Sequence, residues 1–307
     1  LPTVVGTEGD RAVDITRLRS DAGFITLDDG YANTGSCRSA ITYVDGEAGI
    51  LRYRGYPVEQ LAAHATFPEV ALLLGYGDLP PPERLDRFNA LLADHALLHE
   101  GMRHHFEGFP NTAHPMAILS AMINAISAYR PELLRKDDEE DLLDNVALLM
   151  SKVRTIAAFG YKKSIGEPGA YPDPARGYSE SFLNMMFSVP HRPYDPPPEV
   201  VRALEMFFVL HADHEQNCST STARMVGSSG ANLYASVSAA VCALWGRLHG
   251  GANAQVVTLL EDIHARSLDP AQVIEGAKAG TAPLYGFGHR IYRNVDPRVW
   301  VFKRACD

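Results

Sequence analysis

Two rhythms of apolar residues run along the chain. Up to about Arg54 they alternate with polar residues in short, turn-separated stretches, most clearly at Ala40-Ile41-Thr42-Tyr43-Val44 before the turn Asp45-Gly46, which is the period of a strand with one covered face. After Pro57 they recur at every third and fourth position. This spacing predicts helices over Pro82 to Glu100, Met116 to Tyr129, Glu139 to Phe159, Glu199 to Ala212, Leu233 to Trp245 and Ala254 to Ala265. The proline runs Leu79-Pro80-Pro81-Pro82 and Tyr194-Asp195-Pro196-Pro197-Pro198 mark turns that open the following helices, because proline is tolerated in a first helical turn. The expected fold is all-α, with a β-rich element over residues 1–55, a large helical domain over 56–260 and the opening part of a smaller helical domain over 261–307.

The composition, 46% hydrophobic and 21% charged over 307 residues, is that of a chain able to bury a substantial core. A net charge of −9 gives no support to a nucleic-acid or anionic-membrane surface, so an anionic substrate requires a locally basic pocket. No apolar run reaches the roughly 20 residues of a spanning helix, and Leu1-Pro2-Thr3-Val4-Val5 lacks the layout of a signal peptide, so a cytoplasmic location is expected. Cys37, Cys218, Cys242 and Cys306 form no CxxC pair and are expected to be reduced and mostly buried. The chain opens on Leu1 rather than Met and ends on Ala305-Cys306-Asp307 within a helical pattern, which suggests a segment of a longer protein. From Cys218 to Ala240 small residues dominate, including Gly227-Ser228-Ser229-Gly230-Ala231-Asn232. These suit a close helix pair, within one chain or across a subunit boundary.

Three histidine segments carry candidate chemistry. In His211-Ala212-Asp213-His214-Glu215-Gln216-Asn217 the density of polar residues beside a hydrophobic run points to a buried polar network. A metal held by His211, Asp213 and His214 is the rival reading, against which the HExxH spacing is absent and no cysteine pair compensates. In Leu248-His249-Gly250-Gly251-Ala252-Asn253 a histidine lies on a glycine turn just ahead of a helix. The positive end of a helix dipole disfavours imidazolium there, and a neutral imidazole can donate to a developing enolate oxygen. The alternative is a histidine that only caps a tight turn. In Gly286-Phe287-Gly288-His289-Arg290-Ile291-Tyr292-Arg293-Asn294-Val295-Asp296-Pro297-Arg298 a histidine and three arginines gather within ten residues of an acidic protein. Such a cluster suits a small polyanion, with arginine pairing to carboxylate; otherwise it is a solvated basic loop.

Taken in order, these segments resemble citrate synthases of the longer bacterial subtype. The same resemblance extends over Ser39 to Tyr43, Gly49-Ile50-Leu51, Tyr53 to Pro57, His114-Pro115-Met116 and Tyr161 to Gly166. It implies condensation of acetyl-CoA with oxaloacetate and water to citrate and CoA, at the entry to the tricarboxylic acid cycle, with no cofactor and no metal. It further implies that His249 donates to the acetyl carbonyl oxygen as the enol forms, that His289 polarises the oxaloacetate ketone, and that His214 and Arg298 bind oxaloacetate. The stretch around Leu284, Gly286, Gly288 and Arg290 resembles the CoA entrance, and a homodimer or higher homo-oligomer is implied. A 2-methylcitrate synthase acting on propionyl-CoA shares these motifs, since one methyl group is worth only about 1–3 kcal/mol in a pocket. The family's enolising aspartate lies well beyond the Asp-Pro-Arg motif. Asp307 follows Arg298 too closely to be that residue, so the base is expected outside this sequence, and a non-catalytic fragment is a further reading. NADH inhibition is not implied, because Asp94 and His191 replace the residues the regulated enzymes use there.

Overall fold

The computed structural model describes residues 1–31, 33–131, 139–246 and 248–306, with the side chains of 139–141 and 306 also outside the description. The chain divides into two compact units, Leu1–Ala40 and Ile41–Asp307.

The first unit is a hairpin followed by a short helix. Strands β1 (Thr3–Val5) and β2 (Arg11–Val13) pair antiparallel with Val4 opposite Ala12, and the helix α1 (Leu18–Ala22) ends at Gly23 in the left-handed region. Phe24, Ile25 and Leu27, which follow it, are exposed.

The second unit begins with a three-stranded meander, β3 (Thr42–Asp45), β4 (Ile50–Tyr53) and β5 (Tyr56–Pro57), in which Tyr43 faces Arg52. Helices make up most of the rest: α2 (Val58–His64), α3 (Phe67–Tyr76), α4 (Pro82–Asp94), α5 (Glu100–Glu107), α6 (Pro115–Tyr129), α7 (Glu139–Ser164) and α8 (Tyr178–Phe187). They are followed by α9 (Pro198–Leu210), α10 (Cys218–Gly227), α11 (Leu233–Leu244), α12 (Gly250–Ala265), α13 (Pro270–Lys278) and α14 (Pro297–Cys306). The all-α expectation holds, and proline opens α4 and α9 as the sequence suggests.

The single stripe read over Pro82 to Glu100 is two helices. α4 stops at Asp94, and His99 caps α5 by accepting the Gly101 amide at 3.0 Å. Side chains of α7 take up the carbonyls freed between them: Ser151 Oγ donates to Leu92 O and Thr155 Oγ1 to Ala96 O, each at 2.7 Å, and Lys152 Nζ to Leu97 O. An apolar stripe cannot foretell this break, because its partners lie some 60 residues away in sequence.

Three apolar clusters fill the unit. One joins β4, α2, α3, α9 and α14 through Leu51, Tyr53, Leu61, Leu73, Leu210 and Val301. A second joins α5, α6, α7 and α11, and a third α3, α4 and α7. α10 packs on α11 within the chain, and α11 on α6, where Ser238 Oγ donates to Ser120 O at 2.8 Å. The cysteines depart from expectation: Cys218 and Cys242 are exposed and Cys37 half-buried. Cys218 opens α10 and Cys242 sits in the last turn of α11, on parts of that pair the rest of the chain leaves uncovered. Among the described residues no helix is long and apolar enough to cross a membrane.

Candidate active site

The joint between α9 and α10 is shaped by its own polar residues. Tyr53, fully buried on β4, places its hydroxyl between α9 and the turn, donating to Leu210 O and accepting from Asp213 N, both at 3.4 Å. Burial pushes this phenol up to about 12. Asp213 Oδ2 accepts the Glu215 amide at 3.0 Å, which turns the chain through a left-handed Glu215 at φ 59°. Asn217 then caps α10 by accepting from Thr220 N at 3.0 Å. Of the three residues weighed as metal ligands, His211 is committed elsewhere, with Nδ1 2.8 Å from Phe207 O and its ring stacked on Phe207 at 4.2 Å. Among the described residues no group of three or more histidine, cysteine or acidic side chains is placed to hold a metal ion.

The segment 289–298 lies along the β3–β4 turn. Arg293 N donates to Gly46 O at 3.0 Å and Asn294 Nδ2 to Glu47 O at 2.8 Å. A Cβ on Gly46 would stand 2.1 Å from Ile291 O, so only glycine permits this approach. The N-terminal meander thus supports the basic segment that the sequence places almost 250 residues later.

This support brings His289 beside His214, with ring centroids 5.4 Å apart, and seats Tyr292 against both, 4.8 Å from the first and 5.6 Å from the second. The Tyr292 hydroxyl is 3.1 Å from His214 Nε2. His289 Nδ1 accepts the amides of Ile291 at 3.1 Å and Tyr292 at 3.2 Å, so Nδ1 holds no proton and the neutral ring carries its hydrogen on Nε2, as a donor. Arg298, in the first turn of α14, is paired with Asp296 through Nε and Nη2.

Burial sets the electrostatics. It pulls His214 down to about 4, helped by the charge of Arg298 and by His289. Burial also lowers His289, against a partial offset from Asp296. It raises Tyr292, with Asp296 adding to the effect. Burial alone would raise the Asp296 carboxyl, but the Arg298 guanidinium, by hydrogen bonds and charge, holds it below the usual carboxylate value. At neutral pH the cluster therefore offers two neutral imidazoles beside the Arg298–Asp296 ion pair, in which the carboxylate fixes the guanidinium and offsets its charge.

His249 stands apart. It occupies the cap position of α12, as its glycine turn suggests, with its amide donating to Gly246 O at 3.0 Å. Gly250 is required there, since a Cβ would meet Leu244 O at 2.7 Å. The turn follows Trp245, whose indole stacks on His114 at 4.9 Å. The His249 side chain is exposed, and no hydrogen bond, ion pair or ring contact among the described residues joins it to His214, His289 or Arg298. Gly286, Gly288 and Arg290 are exposed, and Leu284 half-buried. Asp307 lies outside the described residues. A cavity of about 410 Å³ lined by His64, Met206 and Arg304, among others, holds none of the candidate residues.

Sequence reasoning gave no role to Tyr53, Gly46, Tyr292 or Asp296. The last two carry a readable signal: Tyr292 follows His289 by three residues, and Asp296 stands before Pro297 where a helix cap belongs.

A family model described as citrate synthase, C-terminal domain, matches residues 30–307. Citrate synthase 1 of Mycobacterium tuberculosis is 48% identical over 309 aligned residues, which cover 100% of this chain and 72% of that protein. The crystal structure of citrate synthase from Pyrobaculum aerophilum superposes with a TM-score of 0.80 at 32% identity, covering 99% of this chain and 72% of that one. The enzyme from Thermoplasma acidophilum, solved as a ternary complex with carboxymethyl coenzyme A and oxaloacetate, gives 0.81 at 28% identity over 91% of this chain and 72% of that one.

Proposed function

The chain belongs to the citrate synthase family of acyltransferases, and from that premise we propose that His214, His289 and Arg298 form its oxaloacetate site and that His249 acts on the acetyl-CoA side. The observation that carries this reading is the occupied Nδ1 of His289, which leaves Nε2–H as a fixed donor beside a neutral imidazole and an arginine.

Arg298 holds a carboxylate of oxaloacetate, and His214 hydrogen-bonds the same molecule. The His289 Nε2–H points at the ketone oxygen and draws charge from its carbon, making it the electrophile. Acetyl-CoA enters past residues 284–290 and presents its thioester oxygen to His249. The imidazole at the head of α12 donates to that oxygen as the enol forms. The enol carbon attacks the ketone carbon, and water then releases CoA and citrate. The carboxylate that removes the methyl proton is not assigned to a residue of this chain. The condensation is acid–base and electrostatic chemistry for which these side chains call on no cofactor.

The exposed apolar residues Met225, Leu244, Trp245 and Leu248 on and beside α10 and α11 suit a homodimer interface. The reaction belongs in the cytoplasm, at the entry to the tricarboxylic acid cycle. Thiol release from acetyl-CoA and propionyl-CoA in the presence of oxaloacetate tests the reading. Faster turnover with acetyl-CoA, abolished by His289→Ala, supports it; a strong propionyl preference or an indifferent H289A overturns it.

A further inference from the structure

His214 and His289 come from separate stretches of chain, one between α9 and α10 and the other ahead of α14, and one residue touches both. The Tyr292 hydroxyl meets His214 Nε2 at 3.1 Å, while its main-chain amide is one of the two donors on His289 Nδ1, at 3.2 Å. Its ring lies against both imidazoles, and the residue is only 5% exposed. We propose that Tyr292 is a positioning residue, whose hydroxyl and amide together fix the orientation of the two imidazoles toward oxaloacetate. The inference rests on the roles given above to His214 and His289.

A hydroxyl suits this position because it donates to an unprotonated nitrogen and accepts from a protonated one. The neutral His214 ring carries one proton, so a hydroxyl that donates to Nε2 holds that proton on Nδ1 and fixes the tautomer. The hydroxyl is lost in phenylalanine, which keeps the ring packing and the main-chain amide. The two halves of the role are thus separable: Tyr292→Phe releases His214 and leaves the donors on His289 in place.

The test combines kinetics with imidazole ¹⁵N NMR on the enzyme. In Y292F the KM for oxaloacetate rises about tenfold, the worth of one lost hydrogen bond to a buried group, while kcat and the KM for acetyl-CoA change less than about threefold. The His214 Nε2 resonance moves toward that of free imidazole, and the His289 Nδ1 resonance stays. In His214→Gln the same Y292F change has no further effect on KM, because the group it acts through is gone. An unchanged oxaloacetate KM in Y292F, or an equal rise with and without His214, overturns the inference. H214Q alone separates the two readings: if it leaves the oxaloacetate KM untouched, the role of His214 fails rather than that of Tyr292. Should Y292F not fold, the native spectrum decides, since a free-imidazole Nε2 resonance for His214 would contradict the hydrogen bond outright.

Discussion

Arg298 and Asp296 are locked face to face: Nε lies 2.9 Å from Oδ1 and Nη2 2.6 Å from Oδ2, while the Arg298 amide also donates to Oδ1 at 3.0 Å. One carboxylate thus caps the start of α14 and orients the guanidinium. Both side chains are mostly buried, 15% and 20% exposed. Lysine offers a single point of charge in place of the fork. Arg298→Lys is expected to raise the oxaloacetate KM about tenfold or more, and Arg298→Ala about 100-fold, in the range found when one member of a buried charge pair is truncated. Steady-state kinetics at varied oxaloacetate check both, with the KM for acetyl-CoA as the internal control.

Gly46 makes a prediction far from the chemistry. A methyl group there would sit 2.1 Å from Ile291 O, an overlap that no rotamer can relieve. Gly46→Ala is expected to push residues 291–295 away from the β3–β4 turn and disturb the two amides on His289. Weaker oxaloacetate binding and a destabilisation of about 1–3 kcal/mol, typical of overpacking, should appear in calorimetry and denaturant melts.

His249 is exposed, so the role proposed for it can be tested apart from the core. His249→Ala should lower kcat by roughly 10²- to 10⁴-fold, as loss of a general-acid–base partner does, with stability changed by no more than about 0.5 kcal/mol. Matched thermal melts of native and variant protein separate this from a folding defect.

The desolvated imidazoles add to the acid limb of stability. The His214 ring takes its proton at about 4 in the folded chain, against about 6.5 when unfolded. Between these values the unfolded chain binds more protons, so stability rises with pH across that window. The contribution is complete above about pH 6.5 and is lost as pH falls toward 4. His289 and His211, also lowered mainly by burial, add with the same sign. Melting temperatures from pH 4 to 7 should show this slope, and His214→Asn should flatten it.

Much of the fold was open to inspection in the sequence, because helix and strand periods differ and because prolines mark the starts of α4 and α9. The break at His95–His99 was not, since α7 side chains decide it. His249 and His289 announced themselves through flanking glycines, His289 also through nearby arginines, and His214 through the dense polar run beside an apolar helix. Tyr292 and Gly46 did not, because their significance is a distance: a hydroxyl 3.1 Å from His214, and a backbone too close to Ile291 for any side chain. Local pattern records which residues an element needs, and says little about which distant element it must accommodate.

The role proposed for His289 is to polarise the substrate ketone through its Nε2–H. Carbon-13 NMR of oxaloacetate labelled at the ketone carbon and bound to the enzyme tests it directly. A donor there shifts the bound carbonyl resonance downfield of free oxaloacetate, and the shift is lost in His289→Ala with substrate still bound. A bound ketone resonating as it does in water, or a shift that survives in H289A, would contradict it.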